Sequence, residues 1–118
     1  MKSTNNYEKV SLRKQVCLEL WEMTMITEKD WSANKCRRQI DMLMNLIKQL
    51  QKGYAAISVV RKNSVPKLFP ATLVYYDAFF KRPFRWEEQN GTIPFWDARA
   101  GRWDTFEIEN LLDWCVIY

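Results

Sequence analysis

Apolar positions recur about every four residues through the first third of the chain: Leu12, Val16 and Leu20, with Cys17 and Trp21 beside them and Arg13, Lys14, Glu19 and Glu22 off the stripe. That period predicts an amphipathic helix over 8–23. Thr24 and Thr27 bracket a weaker stretch, because β-branched side chains lose rotamer freedom in a helix. A second helix is expected from Thr27, whose hydroxyl can cap the amide three residues on, with Glu28 and Asp30 at the positive end of the dipole. Its apolar side carries Ala33, Cys36, Ile40, Leu43, Met44, Ile47 and Leu50, and Gly53 is the expected left-handed stop. Cys36, Ile40, Leu43, Ile47 and Leu50 also form a heptad seam of barely two heptads. Packing of the two helices on each other and on a sheet is favoured over its use in dimerisation.

After Gly53 the period falls to two. Ala55, Ile57 and Val59 alternate with Tyr54, Ala56, Ser58 and Val60, which predicts a strand with one partly wet face. Further strands are expected at 67–75, interrupted at Pro70, and at 92–97, 102–108 and 113–118. A proline inside a strand points to an edge or a bulge. Residues 61–64 form a turn in which Asn63 is best suited to positive φ. Asn90-Gly91 and 98–101 are further turns, and 109–112 a single tight one. In the fourth strand Phe106 and Ile108 share a face with Asp104, and Trp103 and Thr105 point the other way. Residues 77–90 are the long connection. Five short strands with a helical turn before the last suit an SH3-like barrel, whose closure protects its edges. The expected fold class is α+β: an N-terminal helical hairpin (7–53) and a five-strand SH3-like antiparallel barrel (54–118) in one compact unit, after a frayed tail (1–6). An open sheet covered by the helices is the alternative.

A chain of 118 residues buries enough surface for one modest core, to which six Trp add large rings. There is no His, so triads and zinc sites that depend on one are excluded. Cys17, Cys36 and Cys115 are odd in number and have neither metal nor redox spacing, and they read as reduced, buried hydrophobes. The N-terminus lacks a signal-peptide core and no apolar stretch is long enough to span a bilayer, so a cytoplasmic protein is expected. The net charge of +4 is uneven: 61–85 holds six basic residues and one acidic residue, Asp77.

Gly53 leads into a strand at 53–59, a basic turn precedes a second strand at 61–68, and Ala71-Thr72-Leu73 ends that strand. Phe95-Trp96-Asp97, Arg102-Trp103-Asp104-Thr105-Phe106-Glu107-Ile108 and Glu109-Asn110-Leu111-Leu112 follow. In these features residues 53–118 resemble a family of small proteins of unknown function from gut Bacteroidales, their mobile elements and phages, described as SH3 β-barrel fold-containing. The resemblance implies the fold and no particular activity. Asp104 and Glu107 stand where the family's usual ending is basic, which implies a weakened surface for any anionic ligand. Ala71, in place of a glycine, implies a more regular strand.

Three surfaces are candidates for binding. In 79–86, Lys81, Arg82 and Arg85 interleave with Phe84 and Trp86, and Arg61 and Lys62 lie in the earlier basic turn. Cations that neutralise phosphates beside rings that stack on unpaired bases suit single-stranded nucleic acid. The competing role for Phe80, Phe84 and Trp86 is a hydrophobic flap closing the barrel. Lys35, Arg37 and Arg38 on the second helix could contact a duplex backbone, or be an ordinary solvated face. Trp96 and Trp103, with Asp97, Asp104, Glu107 and Tyr118, could receive a proline-rich or basic peptide, or pack under the long loop. Asp97 and Asp104 lack the cleft and third ligand of a catalytic pair. The expectation is a non-enzymatic binding protein without cofactor or metal, more often monomeric, that takes nucleic acid or a protein partner. A phage or mobile-element inhibitor of a host protein falls within the second class.

Overall fold

The computed structural model describes residues 5–62 and 64–117, with side chains from Leu12 onward. Residues 1–4 of the expected tail, the turn residue Asn63 and the terminal Tyr118 lie outside it. The chain divides into two compact units at Arg38/Gln39, within the second helix.

In the first unit, helix α1 (Asn5–Lys29) runs through the threonines expected to end it. Thr27 Oγ1 donates to the Met23 carbonyl four residues back at 2.8 Å, so its hydroxyl serves the helix it sits in and caps nothing. The stop comes at Asp30, in the left-handed region at φ 59°, with the Trp31 N–H reaching back to Met25 O at 3.2 Å. Helix α2 (Ala33–Lys52) is capped by Ser32, whose hydroxyl accepts the Lys35 N–H at 3.1 Å. The expected core stripe of α1 is also corrected: Leu12, Val16 and Leu20 are 59%, 47% and 56% exposed, whereas Trp21 and Met25 are buried. The helix carries two apolar rows, and periodicity alone does not say which is covered. Burial, and secondarily the charge of Glu22, pushes the Cys36 thiol above its ordinary range, away from the reactive thiolate.

The second unit joins the rest of α2 to a five-stranded antiparallel sheet: β1 (Tyr54–Val59), β2 (Lys67–Thr72), β3 (Thr92–Asp97), β4 (Arg102–Glu107) and β5 (Leu111–Ile117), in the order β4-β3-β2-β1-β5. Leu43, Leu46, Ile47 and Leu50 of α2 are buried, three of them residues of the expected heptad seam. Polar bonds fix the helix to the sheet. Gln39 Nε2 donates to Ile108 O and Leu111 O, both at 2.7 Å, Trp114 Nε1 donates to Met42 O at 3.2 Å, and the Leu73 N–H donates to Leu50 O at 2.8 Å. Gly53 is not left-handed, unlike Gly91 and Gly101. A Cβ there would sit 3.2 Å from the Gln49 amide nitrogen, which donates to Tyr54 O. Close approach, rather than φ, suits glycine to this position.

β1 alternates as its pattern predicts, with Ala55, Ile57 and Val59 buried. β2 stops at Thr72, short of the expected Tyr75, and its ladder to β3 involves only Ala71 and Thr72. Pro70 marks no edge: it sits on the central strand β2, paired with Ala56 of β1, and its carbonyl accepts the Ala98 N–H at 2.9 Å just beyond the ladder to β3. β4 ends at Glu107, a 3₁₀ turn takes Ile108–Asn110, and β5 starts two residues earlier than expected. Cys115, expected in the core, is exposed on β5.

The sheet curls back on itself. Arg61, just past β1, donates to Thr105 O (2.8 Å) and to Asp104 Oδ2 (3.1 Å) on β4, three places away in sheet order, and its guanidinium lies 5.2 Å from the Phe69 ring centre. Both edge strands fold a carboxylate onto their own backbone: Asp104 Oδ1 accepts the Thr105 N–H at 2.7 Å, and Asp113 Oδ1 the Trp114 N–H at 2.8 Å. Such plugs blunt an edge against pairing with another strand.

Candidate functional site

The outward face of the sheet gathers an aromatic row. Tyr54 opposes Thr72, Thr72 opposes Trp96, and Trp96 opposes Trp103, so one line crosses β1, β2, β3 and β4. Thr72 also steers the chain off the sheet. Its buried hydroxyl donates to Gly53 O at 2.6 Å and accepts the Val74 N–H at 3.2 Å. Just beyond, the long connection folds into helix α3 (Tyr76–Phe80) and a 3₁₀ turn at Trp86–Glu88.

Helix α3 lays its rings on the row. Tyr76, buried, packs edge-on against Trp103 (5.9 Å between ring centres) and Phe84 (5.1 Å). Phe80 and Phe79 lie 5.1 and 5.6 Å from Trp103. Tyr75, Phe79, Trp96 and Trp103 line an open groove of about 290 Å³. Phe79 is 62% and Tyr75 46% exposed, so two large rings stand in water. The Trp103 indole N–H is buried with no hydrogen-bond partner among the described residues.

The predicted site residues divide. Lys81 and Arg82 are exposed and directly follow the last residue of α3, and Arg82 Nη2 donates to Tyr76 Oη at 3.4 Å. Arg85 is exposed and pairs loosely with Glu88 at 3.9 Å. Phe84 is 7% exposed, its N–H held by Asp77 Oδ1 at 3.0 Å, so it packs inside and offers no face for stacking. Trp86 is half-buried. Arg61 is committed to β4, while its neighbour Lys62 is exposed and lines a second cleft of about 340 Å³ with Thr92, Glu107 and Asn110. Trp96 and Trp103 lie in the groove, whereas Asp104 serves Arg61 and Glu107 lies by the second cleft. Asp97 is buried and accepts the Arg99 and Ala100 N–H groups at 2.9 and 3.1 Å, shaping the β3–β4 turn. Asp97 pairs in register with Arg102, and Asp104 with Phe95, so the two carboxylates do not converge. In the first unit Lys35, Arg37 and Arg38 are exposed, and the Lys35 ammonium lies 4.2 Å from the Trp31 ring centre. Sequence reading did not single out Tyr75, and it included Phe79 only as the first residue of the 79–86 segment. A helical spacing within 75–80 is the signal that could have found them.

Tyr54 and Tyr75 share a hydrogen bond of 2.5 Å between their hydroxyls. That bond raises the Tyr54 pKa, aided by desolvation and by the neighbouring phenol's charge. A raised folded-state pKa contributes stability that is fully present below the unfolded tyrosine value of about 10 and is lost as pH rises through the folded value. Thermal melts above about pH 10 should therefore show a drop that Tyr75→Phe diminishes. Equal alkaline losses in the two proteins would refute the coupling.

Helix α2 and the curled five-strand sheet define a small SH3-like barrel protein with an aromatic groove on its outer face. The chain belongs to the WYL_2 family, of Sm-like SH3 beta-barrel fold, whose model matches residues 43–112. No curated protein and no solved structure matches it. Among the described residues no helix is long and apolar enough to cross a membrane.

Proposed function

We propose that this protein binds single-stranded nucleic acid without acting on it chemically, through the groove of Tyr75, Phe79, Trp96 and Trp103. The observation that carries the reading is a water-exposed aromatic groove one of whose rings, Phe79, stands two residues before the exposed Lys81 and three before the exposed Arg82. Unpaired bases stack on rings at about 1–3 kcal/mol each, and adjacent cations take phosphates. The same cations disfavour the other common use of clustered rings, the capture of a cationic ligand. Arg61 is taken up by Asp104 and Phe84 is buried, so Lys81, Arg82 and Arg85 are the proposed cationic contacts, with the half-buried Trp86 and the exposed Lys62 as further candidates.

The test is a titration of single- and double-stranded DNA and RNA oligonucleotides at low and high salt, followed by tryptophan emission. Single strands should bind, quench and weaken with salt. Changing Lys81, Arg82 and Arg85 together to Ala should lower low-salt affinity about tenfold and flatten the salt slope by about 2, at about 0.7 per phosphate contact on a single strand. An unchanged slope, or no binding to any of the four, would defeat the reading.

The groove's largely apolar lining favours a second reading, a protein partner anchored on Trp96 and Trp103. Such a complex would hold its affinity as salt rises. Membership of the narrower Bacteroidales and phage group is part of this proposal, and a mobile-element inhibitor of a host protein would belong to the second reading.

A further inference from the structure

We infer that the groove is a slot for one unpaired base at a time, with the adjoining phosphate at Lys81; this rests on the nucleic-acid reading above. The first ground is size. At about 290 Å³ the groove lies just below the usual range of ligand pockets, about 300 to 1,000 Å³. The second is the tilt of the rings. Trp96 and Trp103 are inclined at 73°, Tyr75 and Trp96 at 77°, and Phe79 and Trp103 at 55°. A base lying flat on any one of them meets its neighbour edge-on, so the stack ends there. A platform for a run of bases presents a separate face to each successive base.

The third ground is Lys81 itself. It closes α3 in the left-handed conformation, at φ 60° and ψ 36°. Glycine adopts that conformation without steric cost, and lysine does not. A charged residue held against its local preference, two positions after a ring of the groove, fits a residue kept for a ligand. Lys81 follows Phe80, whose ring lies 5.1 Å from Trp103, and precedes Arg82, whose guanidinium reaches the hydroxyl of Tyr76, a ring that itself packs on Trp103. A point-like ammonium beside the slot and a second cation next to it suit one phosphate and its neighbour.

The test uses thymidine monophosphate and oligothymidylates of about two, three, five and ten nucleotides, titrated against the full chain by tryptophan quenching. Affinity, corrected for the number of binding registers, should level off by about three nucleotides. Lys81→Gly should raise the thermal midpoint by about 2–6 °C. The same variant should weaken trinucleotide binding about fivefold and cut the salt slope by about 0.7. A further tenfold rise in register-corrected affinity between three and ten nucleotides would replace the slot with an extended track. Unchanged affinity and slope in Lys81→Gly would reduce Lys81 to a helix cap. If the ten-residue strand fails to bind the unmodified protein at low salt, the nucleic-acid reading itself falls, and the slot with it.

Discussion

Phe95→Ala should cost about 3–5 kcal/mol of folding stability, as removal of a fully enclosed ring usually does. Phe95 is completely buried on β3, with its ring centre 5.6 Å from Phe69 and 6.0 Å from Phe106. Its cross-strand partner is Asp104, the residue that Arg61 grips to close the barrel, and Arg61 in turn lies over Phe69. The void would therefore open beneath the contact that curls the sheet. A domain of this size has about 5–15 kcal/mol in hand, so the variant should be at best marginal at 37 °C. Urea unfolding followed by tryptophan emission measures it, with the midpoint expected to fall by more than about 1 M. A loss below about 1 kcal/mol would mean that Phe69 and Phe106 collapse into the space, and that the barrel interior is far more pliable than close packing implies.

Phe79→Ala should do the opposite: leave the fold nearly intact and remove much of the binding. At 62% exposure the ring contributes little burial to the native state, so the stability change should stay within about 1 kcal/mol. If a base stacks in the groove, the loss should be about 1–3 kcal/mol of affinity, or about 5- to 150-fold. The salt slope should not move, because no charge is removed. That separates the ring from Lys81, Arg82 and Arg85, whose loss should change the slope. The same oligonucleotide titration at two salt concentrations reads both. Affinity within twofold of the unmodified protein would take the groove out of the site. A loss accompanied by a large fall in stability would show instead that Phe79 holds α3 in place.

The parts of this protein legible from its sequence were those fixed by neighbours a few residues away. The alternation of Ala55, Ile57 and Val59 identified β1 and its buried face, because a strand's side chains alternate whatever it pairs with. β3 came out at Thr92–Asp97 as expected, bounded by Gly91 and by a four-residue turn. The parts that failed were choices between local options. Thr27 and Ser32 are both plausible caps, and the back-bond from Thr27 to Met23 decided between them. The run 79–86 looked like one basic and aromatic segment, yet the bond from Asp77 to the Phe84 amide turns Phe84 inward, while Phe79 stays out in water.

By itself the sequence determined the two long helices, the five strands and the α+β class, since these follow from the period of apolar positions, but not the short helix α3. Tertiary structure decided which row of α1 is buried. It decided that Arg61 closes the barrel on Asp104, 43 residues away. It also decided that the groove draws its rings from residues 75, 79, 96 and 103. Each of these depends on segments distant in the chain meeting in space, and no pattern within one segment records which distant side chain will arrive opposite it.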